Sequence, residues 1–356
     1  MRNKITTAVA ALAVVAGLIV SVPAQAAGVS LAGKGSSFAN GMVQACAAAY
    51  TTNDVTYTST GSGTGRSEFA AGNVQYGLTD TVYSSGFPST KYVTIPLFGG
   101  PVAFAYSAVG VGDGLQLTPQ IISGILKGTI TRWDDASIKA INTRIKLPKK
   151  SIKVAYRASG SGTNSNLTTY LNQTVGGWTT NSSDLKAAAG GTDSFNANST
   201  SFANSQLLAA YIEDNSNAFG YFDLSDAITA DVAIAKLKNA AGAFVAPTAS
   251  AAGRFINAQT PRVTDSDATN GTLSIDFTKV ISGAYQLSIV AYGLAPRFDN
   301  GGNTKLKSTN ASKLAVQNWF NYIVMTCVPA KAATLGYVPV GSSLKTAVLK
   351  QIKLIG

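Results

Sequence analysis

No histidine occurs among the 356 residues of the chain. That absence removes Ser-His-Asp and Cys-His nucleophile machinery and any histidine-held zinc, so most hydrolase mechanisms fall away. Carboxylate-pair and lysine-based chemistry remain open. Cysteine is nearly absent too, and Cys46 and Cys327 are too few for a cysteine-only metal cluster. Charged residues are sparse at 13%, against 46% hydrophobic residues, a globular balance in a chain long enough for two domains with real cores. Acidic side chains number 17 and basic ones 28, a net charge of +11 that suits an anionic partner. The lysine-rich stretch from Arg144 to Lys153 reads as an exposed loop around Pro148, so no nucleic-acid partner is expected.

Long apolar runs are missing after residue 22. Before it, Arg2 and Lys4 precede an apolar stretch from Ile5 to Val22 and the small-x-small signature Ala24-Gln25-Ala26, the pattern of a cleavable secretory signal peptide over residues 1–26. An uncleaved anchor is the alternative, because the run approaches spanning length. No cysteine follows the small residues, so no lipid anchor is indicated. Cleavage leaves 26 basic against 17 acidic side chains, +9, on a periplasmic or extracellular protein. In an oxidising compartment Cys46 and Cys327 can form a disulfide, or they can stay as buried thiols.

What the chain does contain is a repeated junction of strand, glycine-rich turn and helix. Ile152, Val154 and Tyr156 alternate with polar or small residues, Arg157-Ala158-Ser159-Gly160-Ser161-Gly162-Thr163 follows, and Asn164 to Asn172 reads as a helix. Such a helix start leaves amide N–H groups unpaired at the positive end of the macrodipole, and Arg157 brings a planar fork of donors beside it, so an oxyanion is the natural guest. Val29 to Gly33 enters Lys34-Gly35-Ser36-Ser37-Phe38 and a helix through Met42, Cys46 and Tyr50, with Ser36 or Ser37 at its N-cap. Val55 to Ser59 enters Thr60-Gly61-Ser62-Gly63-Thr64-Gly65, which lacks the Gly-Lys-Ser/Thr ending of a nucleotide P-loop. Val74 to Asp80 is a short strand ending in a carboxylate. Each junction alone is a weak signal; alternating strands and helices would bring the three together beyond the C-terminal strand ends of an α/β sheet.

Tyr92 to Tyr106 is apolar enough for a buried central strand that crosses between domains. Leu117 to Gly128 reads as a helix capped by Thr118, with Pro119 in its first turn. Gly176 to Ser201 reads as loop, Phe202 to Glu213 as helix, Phe219 to Phe222 as strand and Ala227 to Ala252 as a helix with a hairpin. Tyr285 to Tyr292 reads as strand, Lys313 to Thr326 as a helix with Trp319 and Phe320 in the core, and a terminal helix follows Pro339.

In order and spacing, the segments Gly33 to Phe38, Gly61 to Gly65, Tyr76 to Asp80, Ile130 to Asp135, Lys146 to Pro148 and Arg157 to Thr163 resemble the PstS family, the periplasmic phosphate-binding proteins of the bacterial phosphate ABC importer. The likeness is close over residues 31–172 and looser around Asn217 to Tyr221. It implies an α/β, class II type, two-lobe periplasmic-binding-protein fold with a discontinuous first lobe (27–105 and 283–356), a second lobe (106–282) and a hinge between them. It also implies a non-enzymatic, monomeric protein without cofactor or metal, which captures hydrogen phosphate for the membrane subunits of an ABC importer. The alternative is a secreted PstS-like anion-binding or surface protein without an importer. Position by position, Ser37, Phe38, Ser62, Asp80, Arg157, Ser161, Gly162 and Thr163 would hold phosphate, with Asp80 accepting its proton. Ser159 stands where the family commonly has an Asp that pairs with the arginine, which leaves Arg157 more fully positive.

Overall fold

The computed structural model describes residues 28–82, 91–262, 271–297 and 310–356. The signal-peptide reading of 1–26 lies outside them. No helix among the described residues is long and apolar enough to cross a membrane.

Eight strands form one curled sheet: β1 (Leu31–Gly35), β2 (Val55–Ser59), β3 (Tyr76–Thr79), β4 (Tyr92–Tyr106), β5 (Lys153–Arg157), β6 (Ser199–Phe202), β7 (Ala218–Asp223) and β8 (Ser288–Pro296). They run in the order β2-β1-β3-β8-β4-β7-β5-β6, and two short strands add to β4. The trio β1, β2 and β3 is parallel, as are β5, β6 and β7. Helices follow the parallel strands: α1 (Asn40–Ala47), α2 (Ser62–Ala71), α3 (Gly162–Thr174), α4 (Ser205–Asp214) and α5 (Leu224–Thr229).

Strand β4 joins the two halves. All 15 of its residues are buried, as its apolar run requires when both faces are covered. Tyr92 to Pro101 pairs with β8, and Val102 to Tyr106 pairs with β7, so the strand changes partner just after Gly99-Gly100-Pro101. The register to β8 skips Leu97, next to Pro96, which has no N–H to give the ladder.

The core under β1 and β3 is aromatic. Trp319 is fully buried among Tyr50, Tyr76 and Tyr322, and Phe320 meets Tyr76 edge-on at 5.8 Å. Cys46 on α1 is bonded to Cys327 with Cα atoms 5.6 Å apart, tying the first helix to the C-terminal helical region.

Two readings of the sequence need correction. The segment read as loop up to Ser201 ends in β6, and the helix after it begins at Ser205 rather than Phe202. Low apolar content hid β6, whose residues Ser199, Thr200 and Ser201 are hydroxylated. Asn204 caps α4 by accepting from the Leu207 amide at 2.9 Å, which fixes the later start.

Candidate functional site

Helices α1, α2, α3 and α4 all begin at the C-terminal edge of the parallel strands, with hydroxyls in or just before their first turns. The two serines before α1 divide the work. Ser36 accepts from the Ala39 amide at 3.1 Å and donates to Asp80, so it caps the turn that leads into α1 rather than the helix itself. Ser37 points the other way, toward Arg157. On α3, Ser161 accepts from the Asn164 amide at 3.1 Å, which still leaves its O–H free to donate. The start of α2 brings Ser62, whose hydroxyl donates to Asp80 Oδ2 at 3.2 Å and accepts from the Asp80 amide at 3.1 Å.

Arg157 is 2% exposed, an unusual place for a guanidinium. Its Nη1 donates to the hydroxyls of Ser37 and, at 3.1 Å, of Ser205, while Nη2 donates to the Ala203 carbonyl at 2.9 Å. Its Nε is buried without a partner, as is the hydroxyl of Thr163. Among the described residues no ion pair includes Arg157. Burial pulls its pKa down, and the Tyr221 hydroxyl and the carboxylates of Asp80, Asp223 and Asp226 oppose that pull from a distance. Ser159 is exposed, so position 159 supplies no counter-charge to the arginine.

Asp80 is 3% exposed, and burial pushes its pKa up to about 6 against the opposing pull of Ser36, Ser62, Arg157 and Arg66. A carboxylate tuned to that value can accept a proton-bearing oxygen near neutrality and repels a fully ionised one. Asn166 fixes the backbone here, donating to the Asp80 carbonyl at 2.8 Å.

The two glycine-rich turns touch directly: the Gly63 amide donates to the Gly160 carbonyl at 2.8 Å. At Gly162 a Cβ would lie 2.8 Å from Asp80 Oδ2 and closer still to Ser62 Oγ, so only glycine lets α3 approach the acid. Gly160 itself has φ +90°, a conformation that favours glycine.

Ser62, Asp80 and Gly162 thus form one cluster and Ser37, Ser205 and Arg157 another, joined through Ser36, which donates to Asp80 from the position beside Ser37, with Ser161 and Thr163 on the first turn next to Gly162. Phe38 contributes only backbone: its ring is in the core, edge-on to Tyr337 at 5.6 Å, and its carbonyl accepts from the Tyr337 hydroxyl at 2.7 Å. Sequence reading missed Ser205, fully buried between Ser37 and Arg157. The signal is a fourth junction of strand, turn and helix, Ser199 to Ser205, which a continuous helix over Phe202 to Glu213 hides.

The donor set is hydroxyls, amides and one guanidinium around one carboxylate. No group of His, Cys, Asp or Glu able to hold a metal occurs among the described residues. Such a set suits a tetrahedral oxyanion that keeps one proton.

Residues 21–323 match the model of the PBP superfamily domain. The phosphate-binding protein PstS of Xylella fastidiosa is 28% identical over 230 residues, 63% of this chain and 62% of that protein. PstS of Methanocaldococcus jannaschii is 32% identical over 203 residues, covering 54% and 52%. The chain thus spans less than two thirds of the length of these curated relatives. Among solved structures, a high affinity periplasmic phosphate-binding protein bound with phosphate superposes with TM-score 0.71 at 18% identity, covering 90% of this chain and 93% of that one. The phosphate-binding protein of Stenotrophomonas maltophilia superposes with TM-score 0.67 at 17% identity and the same coverage. These likenesses establish the two-lobe α/β fold, and the match over most of its length shows that the chain belongs to the PBP superfamily.

Proposed function

We propose that this protein captures inorganic hydrogen phosphate between its two lobes and delivers it to an ABC-type importer, without catalysing a reaction. The observation that carries the reading is Arg157: a buried guanidinium with no ionic partner among the described residues, its Nε unbonded, set among hydroxyls with Asp80 nearby. A buried cation is costly until an anion joins it, so the site is built for an anion to complete. The names of the PstS relatives agree with that chemistry.

In this reading the Arg157 fork, the Ser37, Ser62, Ser161 and Thr163 hydroxyls and the amides of Phe38, Gly162 and Thr163 donate to the phosphate oxygens. Asp80 accepts the remaining proton. Sulfate has none to offer and meets only like charge there, so discrimination comes from repulsion as much as attraction. The lobes are assigned to residues 27–105 with 283–356 and residues 106–282, joined through β4, which exchanges β8 for β7 after Pro101, a few residues before that boundary. Closing them unites donors from both sides, so ligand shifts the population toward the closed form. Secretion by a cleaved signal peptide places the protein in the periplasm or outside the cell, as a monomer.

Titration calorimetry of the mature protein with phosphate tests the proposal. One phosphate bound per chain supports it, and no heat of binding with any phosphate form refutes it. Growth of a deletion strain on limiting phosphate then tests the importer.

A further inference from the structure

Behind the anion site lies a second buried polar cluster. Asp223 caps α5, accepting from the Asp226 amide at 3.0 Å, and also accepts from the Tyr337 hydroxyl at 3.1 Å. Asp226 Oδ2 accepts from Gln206 Nε2 at 2.6 Å, a short bond of the kind a carboxylate makes. The same Gln206 nitrogen also approaches the Ser37 carbonyl at 3.3 Å, and Gln206 Oε1 accepts from the Ser59 hydroxyl at 2.9 Å. One amide side chain therefore ties α4 and α5 to the turn before α1 and to the end of β2. Every group it holds in residues 27–105 flanks the anion site, yet Gln206 has no hydrogen bond to Arg157, Ser62 or Asp80. Its neighbour Ser205 is the residue that meets Ser37 and Arg157.

We propose that Gln206, anchored by Asp226, is a positioning residue that clasps the Ser37–Phe38 turn and the Ser59 strand end against α4, and so sets the lifetime of bound phosphate. This rests on the phosphate-capture reading above. The chemistry favours an amide here. The side chain must donate to a carboxylate and a carbonyl and accept from a hydroxyl at once, which glutamine does and neither an acid nor a hydrocarbon can. Because the bonds join segments assigned to different lobes, they exist only when those segments meet. Their loss acts on the closed form and spares each lobe's own core.

Stopped-flow and calorimetry with inorganic phosphate on the full mature chain test this. Gln206→Ala is expected to weaken phosphate binding about tenfold, through faster dissociation with an unchanged association rate, as befits losing hydrogen bonds to a charged partner. Ser59→Ala should act in the same direction but less, and the double variant should be no worse than Gln206→Ala alone. Gln206→Glu, of the same shape, should fail to restore the slow dissociation, because it sets a carboxylate against Asp226. Throughout, the melting temperature without phosphate should stay within a degree or so of wild type, because the affected bonds lie outside each lobe's own apolar core. The proposal is overturned if Gln206→Ala releases phosphate at the wild-type rate, if Gln206→Glu restores it, or if the phosphate-free melting temperature falls as far as the phosphate-bound one. A wild-type chain that takes up no phosphate overturns the capture reading and this inference with it. A wild type that binds beside an unaffected Gln206→Ala overturns this inference alone.

Discussion

The Arg157 guanidinium donates to the Ser37 hydroxyl across 120 residues of chain, joining the end of β5 to the turn that opens α1. Ser37 carries no charge to compensate the guanidinium, so a buried cation here faces a neutral hydroxyl. An anion placed there gains a full unit of charge attraction in a region sheltered from water.

Replacing Arg157 with Ala should therefore abolish most phosphate affinity. Breaking a buried charge pair typically costs about 3–5 kcal/mol, or from roughly 10²-fold to several thousandfold in Kd. Arg157→Lys should recover only part, because a single ammonium cannot reproduce the fork that reaches Ser37, Ser205 and Ala203 together. Calorimetric titration with phosphate measures both.

Sulfate binding should depend on pH through Asp80. With its pKa near 6, the carboxyl is protonated below that value and can donate to a fully ionised oxyanion. Sulfate affinity should rise as pH falls through about 6 and should drop about tenfold per pH unit above it, the slope of a single required proton. In Asp80→Asn the slope disappears and sulfate binds at neutral pH. Competition of labelled phosphate by sulfate across pH provides the readout.

The same group governs stability without ligand. The folded value of about 6 exceeds the ordinary 3.8, so the folded chain holds more protons than the unfolded one between those pH values. Asp80's contribution is thus fully present below about pH 4 and is lost as pH rises through about 6, a change on the order of 3 kcal/mol. Asp223 is displaced in the same direction, chiefly by burial and then by Asp226, and adds to the trend. Urea unfolding at several pH values should show the decline, and Asp80→Asn should remove its own share of it.

Gly162→Ala should damage binding more than stability. The added Cβ meets Asp80 Oδ2 at 2.8 Å and crowds Ser62 Oγ, so α3 must back away from the acid. Displacing the first-turn amides and hydroxyls of α3 should cost about 100-fold in affinity, the scale of two or so lost charge-assisted hydrogen bonds. Alanine at Gly160, with nothing within 4 Å of its Cβ but φ +90°, should instead cost about 1–2 kcal/mol of stability from backbone strain. Comparing phosphate titrations and thermal melts of the two variants separates space from strain.

Much of this site was legible from the chain because its parts are local. A strand, a glycine turn and a hydroxyl at the helix start can be read within about ten residues, and that marked the junctions at Ser36-Ser37, Gly61 to Gly65 and Arg157 to Thr163, whereas the role of each residue in them came from the PstS resemblance. The crossing role of Tyr92 to Tyr106 was legible as well, since a strand buried on both faces must be apolar throughout. Ser205, Gln206 and Asp226 were not. Their importance comes from contacts reaching 168, 169 and 20 residues away in sequence, and no local pattern distinguishes them from ordinary helix-start residues. The choice between Ser36 and Ser37 as cap was likewise undecidable, because it depends on which hydroxyl the distant Asp80 and Arg157 claim.

The most direct measurement is paired calorimetry of the mature protein and Asp80→Asn with phosphate and with sulfate at neutral pH. The wild type should bind one phosphate and hold sulfate clearly more weakly than at acid pH, while the variant should bind both, with weakened phosphate affinity. Equal affinity of the wild type for the two anions, or a variant that still rejects sulfate, would contradict the role of Asp80 as acceptor of the ligand's proton.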